Sequence, residues 1–165
     1  MISFKFLDKT LIEEFCEGLF YILHSNMSII APTGNSYEDD YSIWSNIIKS
    51  ELESPNRYII LIYSENTIVG FFMYSIKNHD TFKMEEIEIL KDYQKNYNIF
   101  RLLYGYIIEC LPPHIELVEA SANKNNIKSQ AILQMLGLKI ISENQRTYFF
   151  KGYYNDLLCW FNHKN

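Results

Sequence analysis

The chain has 165 residues, 48% of them apolar and 16% aromatic, with only 6 Gly and 4 Pro, which excludes a disordered segment and predicts one globular domain over residues 1–165 with a sizeable core. The formal charge of −5 argues against a nucleic-acid partner, because phosphate contacts need a basic face. No apolar run approaches the ~20 residues of a membrane span, and Met1-Ile2-Ser3-Phe4-Lys5 lacks the charged-then-apolar order of a secretion signal, so a cytoplasmic protein with no membrane partner is expected.

Ile2, Phe4 and Phe6 alternate with Ser3 and Lys5, as in a short half-buried strand. Thr10 with Glu13 three residues later reads as a capping box. The helix it would open carries Ile12, Phe15, Cys16, Leu19, Ile22 and Leu23 on one face, and a loop is expected over 28–34, around Pro32 and Gly34. A second helix is predicted from Glu38 to Leu52, with Ile43, Trp44, Ile47, Ile48 and Leu52 at helical spacing. From Arg57 the pattern turns to strands. Tyr58–Tyr63 is a continuous apolar run, Glu65-Asn66 makes a turn, and Ile68–Ile76 is the return strand, where Gly70 marks a bulge or a close backbone approach.

The next strand, Phe82–Leu90, carries Glu85, Glu86 and Glu88. Alternation places Glu86 and Glu88 on one face and Glu85 on the other, unless a bulge shifts the phase. A helix over Ile99–Leu111, stopped by Pro112-Pro113, follows a strand end directly and can present free N–H groups to an anion. Ile115–Ala120 alternates like a strand. Leu138–Ser142 and Thr147–Tyr154 read as a closing hairpin, and the apolar tail Leu157, Leu158, Trp160 and Phe161 should dock on the domain or on a second subunit, making a homodimer. Cys16, Cys110 and Cys159 have no paired spacing and apolar neighbours, so buried free thiols are expected; His24, His79, His114 and His163 stand apart, without the spacing of metal ligands.

Between that strand and the hairpin lies Asn126-Ile127-Lys128-Ser129-Gln130-Ala131-Ile132-Leu133-Gln134-Met135-Leu136-Gly137-Leu138. Asn126 suits a helix N-cap, Gly137 suits the left-handed residue that ends a helix, and Ile127, Ala131, Leu133, Met135 and Leu136 would bury one broad face. Asn, a small residue three positions on and Gly eleven positions on, followed by an apolar residue, resembles the second cofactor motif of the GNAT superfamily of CoA-dependent N-acetyltransferases. The element order also resembles that family's: strand, two helices, three strands, helix, strand, helix, two strands. The resemblance implies a GNAT-like α/β sandwich, with a mixed, mostly antiparallel sheet of about seven strands, a splayed parallel pair and about four helices.

The family resemblance further implies acetyl-CoA as cosubstrate, an amine acceptor, and direct transfer of the acetyl group. The carboxylates Glu86, first, and Glu88 become candidates for the general base. A main-chain N–H near Ile89 or Leu90 would polarise the thioester carbonyl. Gln94 holds the family's Gln/Arg place, and the pyrophosphate turn would comprise Gln94, Lys95, Asn96, Tyr97, Asn98 and Ile99, with Asn126 and Ser129 across from it. The chain departs from the pattern in two ways. The family's glycine places fall on Lys95, Tyr97 and Ile99, so Asn96 and Asn98 are expected to take any strained angles and Lys95 or Arg101, with Lys124 and Lys128, to add charge. The family's general-acid Tyr, seven residues after the motif Asn, is Leu133 here; Tyr148 is a substitute. These departures sustain an alternative, a degenerate fold that acts as a non-catalytic binding or oligomerisation module.

Overall fold

The computed structural model describes residues 1–95 and 97–163, with only the backbone of Tyr97. The chain forms two compact units, Met1–Tyr74 with Glu86–Ile99, and Ser75–Glu85 with the chain from Phe100 on. Seven strands make one mixed sheet in the order β1-β2-β3-β4-β5-β7-β6. They are β1 (Ile2–Phe6), β2 (Arg57–Ser64), β3 (Thr67–Lys77), β4 (Thr81–Ile89), β5 (Leu117–Asn123), β6 (Lys139–Glu143) and β7 (Thr147–Tyr153). Five helices accompany them: α1 (Ile12–Ile30), α2 (Tyr37–Glu51), α3 (Tyr97–Cys110), α4 (Ile127–Met135) and α5 (Tyr154–Asn162). This is the expected GNAT-like α/β sandwich, with a fifth helix where an apolar tail was expected. Among the described residues no helix is long and apolar enough to cross a membrane.

In the first unit β1 pairs antiparallel with β2, from Ile2↔Ser64 to Phe6↔Ile60. The apolar runs of β2 and β3 are buried on both faces, which is why they do not alternate. Ile59 and Leu61 of β2 with Phe71 and Met73 of β3 pack in one cluster with Cys16 and Leu19 of α1 and Ile48 and Leu52 at the end of α2. Each such aliphatic side chain, fully buried, contributes on the order of 2 kcal/mol.

Two helix boundaries differ from the sequence reading. The capping box of Thr10 and Glu13 does not form. Asp8 caps a 3-10 turn over Lys9–Leu11 instead, accepting from the N–H of Thr10 at 3.0 Å and from its hydroxyl at 2.7 Å. An Asp two residues upstream offers the free N–H a charged acceptor and outcompetes a hydroxyl. At its other end α1 runs through Ser28 to Ile30, where a loop was expected. Pro32 restricts only the residue before it, and Ala31 leaves helical angles there (φ −139°, ψ 69°). Ser36 caps α2 by accepting from the N–H of Asp39 at 3.1 Å.

In the second unit β4 and β5 run parallel, in register from Thr81↔Leu117 to Lys83↔Glu119. β7 pairs antiparallel with β5 and with β6. Tyr104 of α3 is buried and its hydroxyl lies 3.1 Å from the sulfur of Met84. The apolar tail, now α5, docks on its own unit: Trp160 meets Phe100 and Tyr104, with ring centroids 5.8 and 5.6 Å away, and Leu157 is buried. Arg101 fixes the end of α5, donating to the carbonyl of Phe161 while its guanidinium lies 5.2 Å from that ring. These contacts hold the guanidinium against α5. Only Cys16 is buried among the thiols; Cys110 and Cys159 are exposed, because their helices turn those positions outward.

The buried face of α4 is narrower than expected. Leu133 and Leu136 are buried, while Ile127 and Met135 are exposed, since a nine-residue helix places only part of its apolar set inward. Its end is as expected: Gly137 takes φ +91°, and the N–H of Leu138 donates to the carbonyl of Leu133 at 3.0 Å. A Cβ at Gly137 would lie 2.7 Å from the Cβ of Asp156 on α5, so strain and a clash coincide. Gly137→Ala is expected to lower the unfolding free energy by about 2 kcal/mol or more, measured by urea unfolding. Gly18→Ala, in mid-helix with nothing within 4 Å of the new Cβ, should instead stabilise by up to ~1 kcal/mol. Equal effects of the two substitutions would refute this account of Gly137.

Candidate active site

Of the three carboxylates on β4, Glu88 is the one the fold takes out of water, at 7% exposure. Glu86 is half-buried, and Glu85 accepts from the hydroxyl of Ser75 at 3.0 Å with Lys83 at 3.8 Å. The side chain of Glu88 meets α1. The amide nitrogen of Asn26 donates to a Glu88 carboxyl oxygen at 2.7 Å and to the main-chain carbonyl of Ile89 at 3.0 Å. The side-chain nitrogen of Gln94 donates to that same carbonyl at 2.7 Å and to the Asn26 side-chain oxygen at 3.2 Å. Burial raises the pKa of Glu88 from 4.5 to about 7, and the hydrogen bond from Asn26 opposes the rise more weakly.

Asn26 was not singled out in the sequence. It sits at helical spacing from Leu19, Ile22 and Leu23, so it continues the apolar stripe of α1 with an amide. A polar residue on such a stripe is the available signal.

The backbone around Glu88 is fixed from β3. The carbonyl oxygen of Glu88 lies 2.5 Å from where a Cβ at Gly70 would stand, so only glycine admits this approach. This is the close contact expected of a glycine inside a strand. The N–H of Leu90 donates to the carbonyl of Val69 at 2.8 Å. Leu90 is thereby removed as a donor for a thioester carbonyl. In an extended strand the neighbouring residue faces the opposite way; the carbonyl of Ile89 accordingly points to Asn26 and Gln94, and its N–H shares that side.

After β4 the chain winds into turns, with the N–H of Tyr93 donating to Leu90 at 2.9 Å and that of Gln94 to Lys91 at 3.3 Å. Gln94 sends its side chain inward to Ile89 and Asn26, while Lys95 is exposed. Asn96 and the side chain of Tyr97 lie outside the described residues. Asn98 does not take the strained angle expected of it: it is helical, and the positive-φ residues other than glycine, among those described, are Glu65, Asn78 and His79. Ile99 is fully buried, so its side chain belongs to the core and only its backbone is available to a ligand.

The start of α3 suits an anion in one respect. α1 and α2 carry Glu13 and Glu14, and Glu38, Asp39 and Asp40, in their first turns; α3 and α4 carry no acid there. An acid in the first turn would offset the partial positive charge of the free N–H groups and repel a phosphate.

In the second unit Asn126 caps α4, accepting from the N–H of Ser129 at 3.1 Å. Gln130 ties the approach to that cap by donating to the carbonyls of Asn123 and Lys124 at 3.1 and 3.0 Å. Leu133 is buried, with no polar atom to offer. Lys124 pairs with Glu143 and lies 4.9 Å from the ring centroid of Tyr148.

The aromatic side chains of the first unit include two separate groups. Phe20 and His24 of α1 pack with Tyr37, Tyr41 and Trp44 of α2, at centroid distances between 4.8 and 5.7 Å. Tyr74 does not join them. It stacks on Tyr58 at 5.1 Å and meets Phe72, because it alternates to the face of β3 opposite Phe71, which meets Trp44. Among the described residues no group of three or more His, Cys, Asp or Glu could hold a metal ion.

The sequence matches no protein-family model and no curated protein. The fold matches solved structures closely. An acetyltransferase from Thermus thermophilus aligns with a TM-score of 0.71 at 13% identity, over 93% of this chain and 97% of that one. The paia N-acetyltransferase from Thermoplasma acidophilum in complex with coenzyme A aligns at 0.69 and 13% identity, over 93% and 99%. An acetyltransferase of the GNAT family from Staphylococcus aureus aligns at 0.67 and 16% identity, over 93% and 99%. At these identities the likeness establishes the fold.

The raised pKa of Glu88 has a thermodynamic consequence. Between the unfolded value near 4.5 and the folded value of about 7, the native state keeps a proton that the unfolded state has lost. Stability therefore falls as pH rises through that window and is flat above it. Relative to Glu88→Gln, the wild type should lose about 3 kcal/mol between pH 4.5 and 7.5, measured by urea unfolding at each pH. A difference that does not change with pH would show that Glu88 is not desolvated.

Proposed function

We propose that this chain is an N-acetyltransferase that moves an acetyl group from acetyl-CoA to an amine of a small molecule or peptide by direct attack, with Glu88 as general base. The observation that carries this reading is the Glu88 carboxyl. It is buried, free of a cationic partner among the described residues, and held by Asn26 with a pKa of about 7. A group so placed is half-ionised near neutral pH and can take a proton from an ammonium ion, directly or through one water. Fold likeness to acetyltransferases, one of them in complex with coenzyme A, supports the reaction class.

Acetyl-CoA would supply the acetyl group as a thioester whose sulfur departs as the new amide bond forms. In the first unit the residues proposed to hold it are Gln94, exposed Lys95, Asn98 and the backbone of Ile99; Asn126 and Ser129, at the capped start of α4 in the second unit, are proposed on the resemblance of their motif alone. The acid-free first turns of α3 and α4 are the feature of this structure that fits an anionic cosubstrate. Glu88 removes the proton that the acceptor must lose. The N–H of Ile89, on the side away from β3, is the donor proposed for the carbonyl oxygen as charge develops there. Leu133 cannot return a proton to the sulfur. A thiol of pKa ~8.5 is a fair leaving group unaided, so the lack of a tyrosine at position 133 costs at most the ~10² to 10⁴-fold typical of general-acid help.

Calorimetric titration with acetyl-CoA, with free CoA as control, should show micromolar binding. With a competent amine, kcat/KM should rise with pH along a limb centred near 7. Glu88→Gln should remove that limb and lower kcat/KM by about 10² to 10⁴-fold, while Asn26→Ala should move the limb upward, because Asn26 favours the ionised carboxylate. Absence of binding heat together with absence of turnover across a broad amine panel would overturn the proposal in favour of a non-catalytic binding module.

A further inference from the structure

The amide of Asn26 can face the Glu88 carboxyl in two ways, and they favour opposite states of it. With its nitrogen inward it donates to the ionised carboxylate. With its oxygen inward it accepts from the acid form and repels the ionised one. The structure has the first orientation: the Asn26 nitrogen lies 2.7 Å from a Glu88 carboxyl oxygen and 3.0 Å from the carbonyl oxygen of Ile89. The far side of the amide matters as much. Its oxygen accepts from the side-chain nitrogen of Gln94 at 3.2 Å.

The orientation of Gln94 is fixed in turn. Its side-chain nitrogen lies 2.7 Å from the Ile89 carbonyl, which can only accept, so a reversed Gln94 amide would set oxygen against oxygen. A donor is thereby kept against the Asn26 oxygen. A reversed Asn26 amide would meet that donor with its own N–H groups and the Ile89 carbonyl with its oxygen. All four residues belong to the first unit. Among the described residues no charged group takes part, since burial and the bond from Asn26 set the proton affinity of Glu88. Gln94 stands in the turn proposed to hold the cosubstrate, yet its side-chain nitrogen is engaged on the side of the base.

We propose that Gln94 is a positioning residue for Glu88: by donating to the Asn26 oxygen it keeps the Asn26 nitrogen toward the carboxyl and so favours the proton-accepting carboxylate. Its part in catalysis rests on the reading of Glu88 as general base. Its effect on the carboxyl does not, and can be measured without substrate.

The test is a ¹³C NMR titration of the protein labelled at its glutamate carboxyls, with the Glu88 signal assigned by its loss in Glu88→Gln. Gln94→Met keeps the length of the side chain and removes its N–H donors. The Asn26 amide is then free to turn or swing away, and the Glu88 midpoint should rise by about half a pH unit or more. Asn26→Ala should raise it too, and Gln94→Met added to Asn26→Ala should give no further rise, because the effect passes through that amide. Gln94→Leu serves the same comparison should Gln94→Met fail to fold. A lowered midpoint would overturn the proposal, since it would show that Gln94 only keeps water from Glu88. So would an unchanged midpoint, or a rise that persists in the Asn26→Ala background. Because the titration is read in the free protein, it decides the matter whether or not an amine is turned over.

Discussion

A carboxyl group withdrawn from water costs several kcal/mol when ionised unless donors replace the lost solvent. In this protein the replacement at Glu88 is partial. Asn26 gives one neutral hydrogen bond, which lowers the pKa less than burial raises it. The surroundings leave little slack for anything else. Both hydrogens of the Asn26 amide are spent, on Glu88 and on the Ile89 carbonyl. Both hydrogens of the Gln94 amide are spent too, on Ile89 and on the Asn26 oxygen. A network closed in this way fixes three pieces of chain at once, namely the last turns of α1, the end of β4 and the turn that follows. It can hold a proton-accepting group in place without neutralising it.

That closure explains what is unusual about the turn after β4. A turn that binds phosphate through successive N–H groups commonly relies on glycines, because they admit positive φ and close approach. Here the turn is wound by short-range backbone bonds, and the described part needs no left-handed residue. Its shape is held from inside by the Gln94 side chain. Under such an arrangement the places of Lys95 and Ile99 are free to hold ordinary residues, and Ile99 is used to fill the core. The glycine this region cannot do without stands elsewhere, at Gly70 on β3, where the carbonyl of Glu88 occupies the space of a side chain.

Much of the fold is legible in the sequence, since the apolar runs of β2 and β3, the hairpin at β6 and β7, and the cap and stop of α4 each rest on local chemistry. Asn126 and Gly137 are clear cases, because a cap and a left-handed stop depend on the residue itself. The misses arise where a distant contact decides. Burial of Ile127 and Met135 depends on what faces α4, not on their spacing, and both are exposed. The site was legible only in outline. Alternation ranks Glu86 and Glu88 alike, and tertiary structure separates them, through the burial of Glu88 and its contact with Asn26, sixty-two residues away in sequence. The partners of Tyr74 are likewise decided by tertiary contact, since the two-residue period of β3 sends it to the face opposite Phe71, which meets Trp44.

Leu133 shows how a packing demand can set the limits of chemistry. Its side chain is buried, and its carbonyl receives the N–H of Leu138 as α4 ends at Gly137. The position thus serves both the core and the stop of the helix. A tyrosine there would need a partner for its hydroxyl or a path to solvent, and the close contact of Gly137 with Asp156 of α5 leaves the end of α4 little freedom to move. With the core holding that place, catalysis in the proposed reaction falls on the side of the acceptor. The base is desolvated, held and tuned to neutral pH, while departure of sulfur relies on the acidity of the thiol itself. An enzyme built so is limited by how readily its leaving group departs, which favours thioesters over less activated acyl donors.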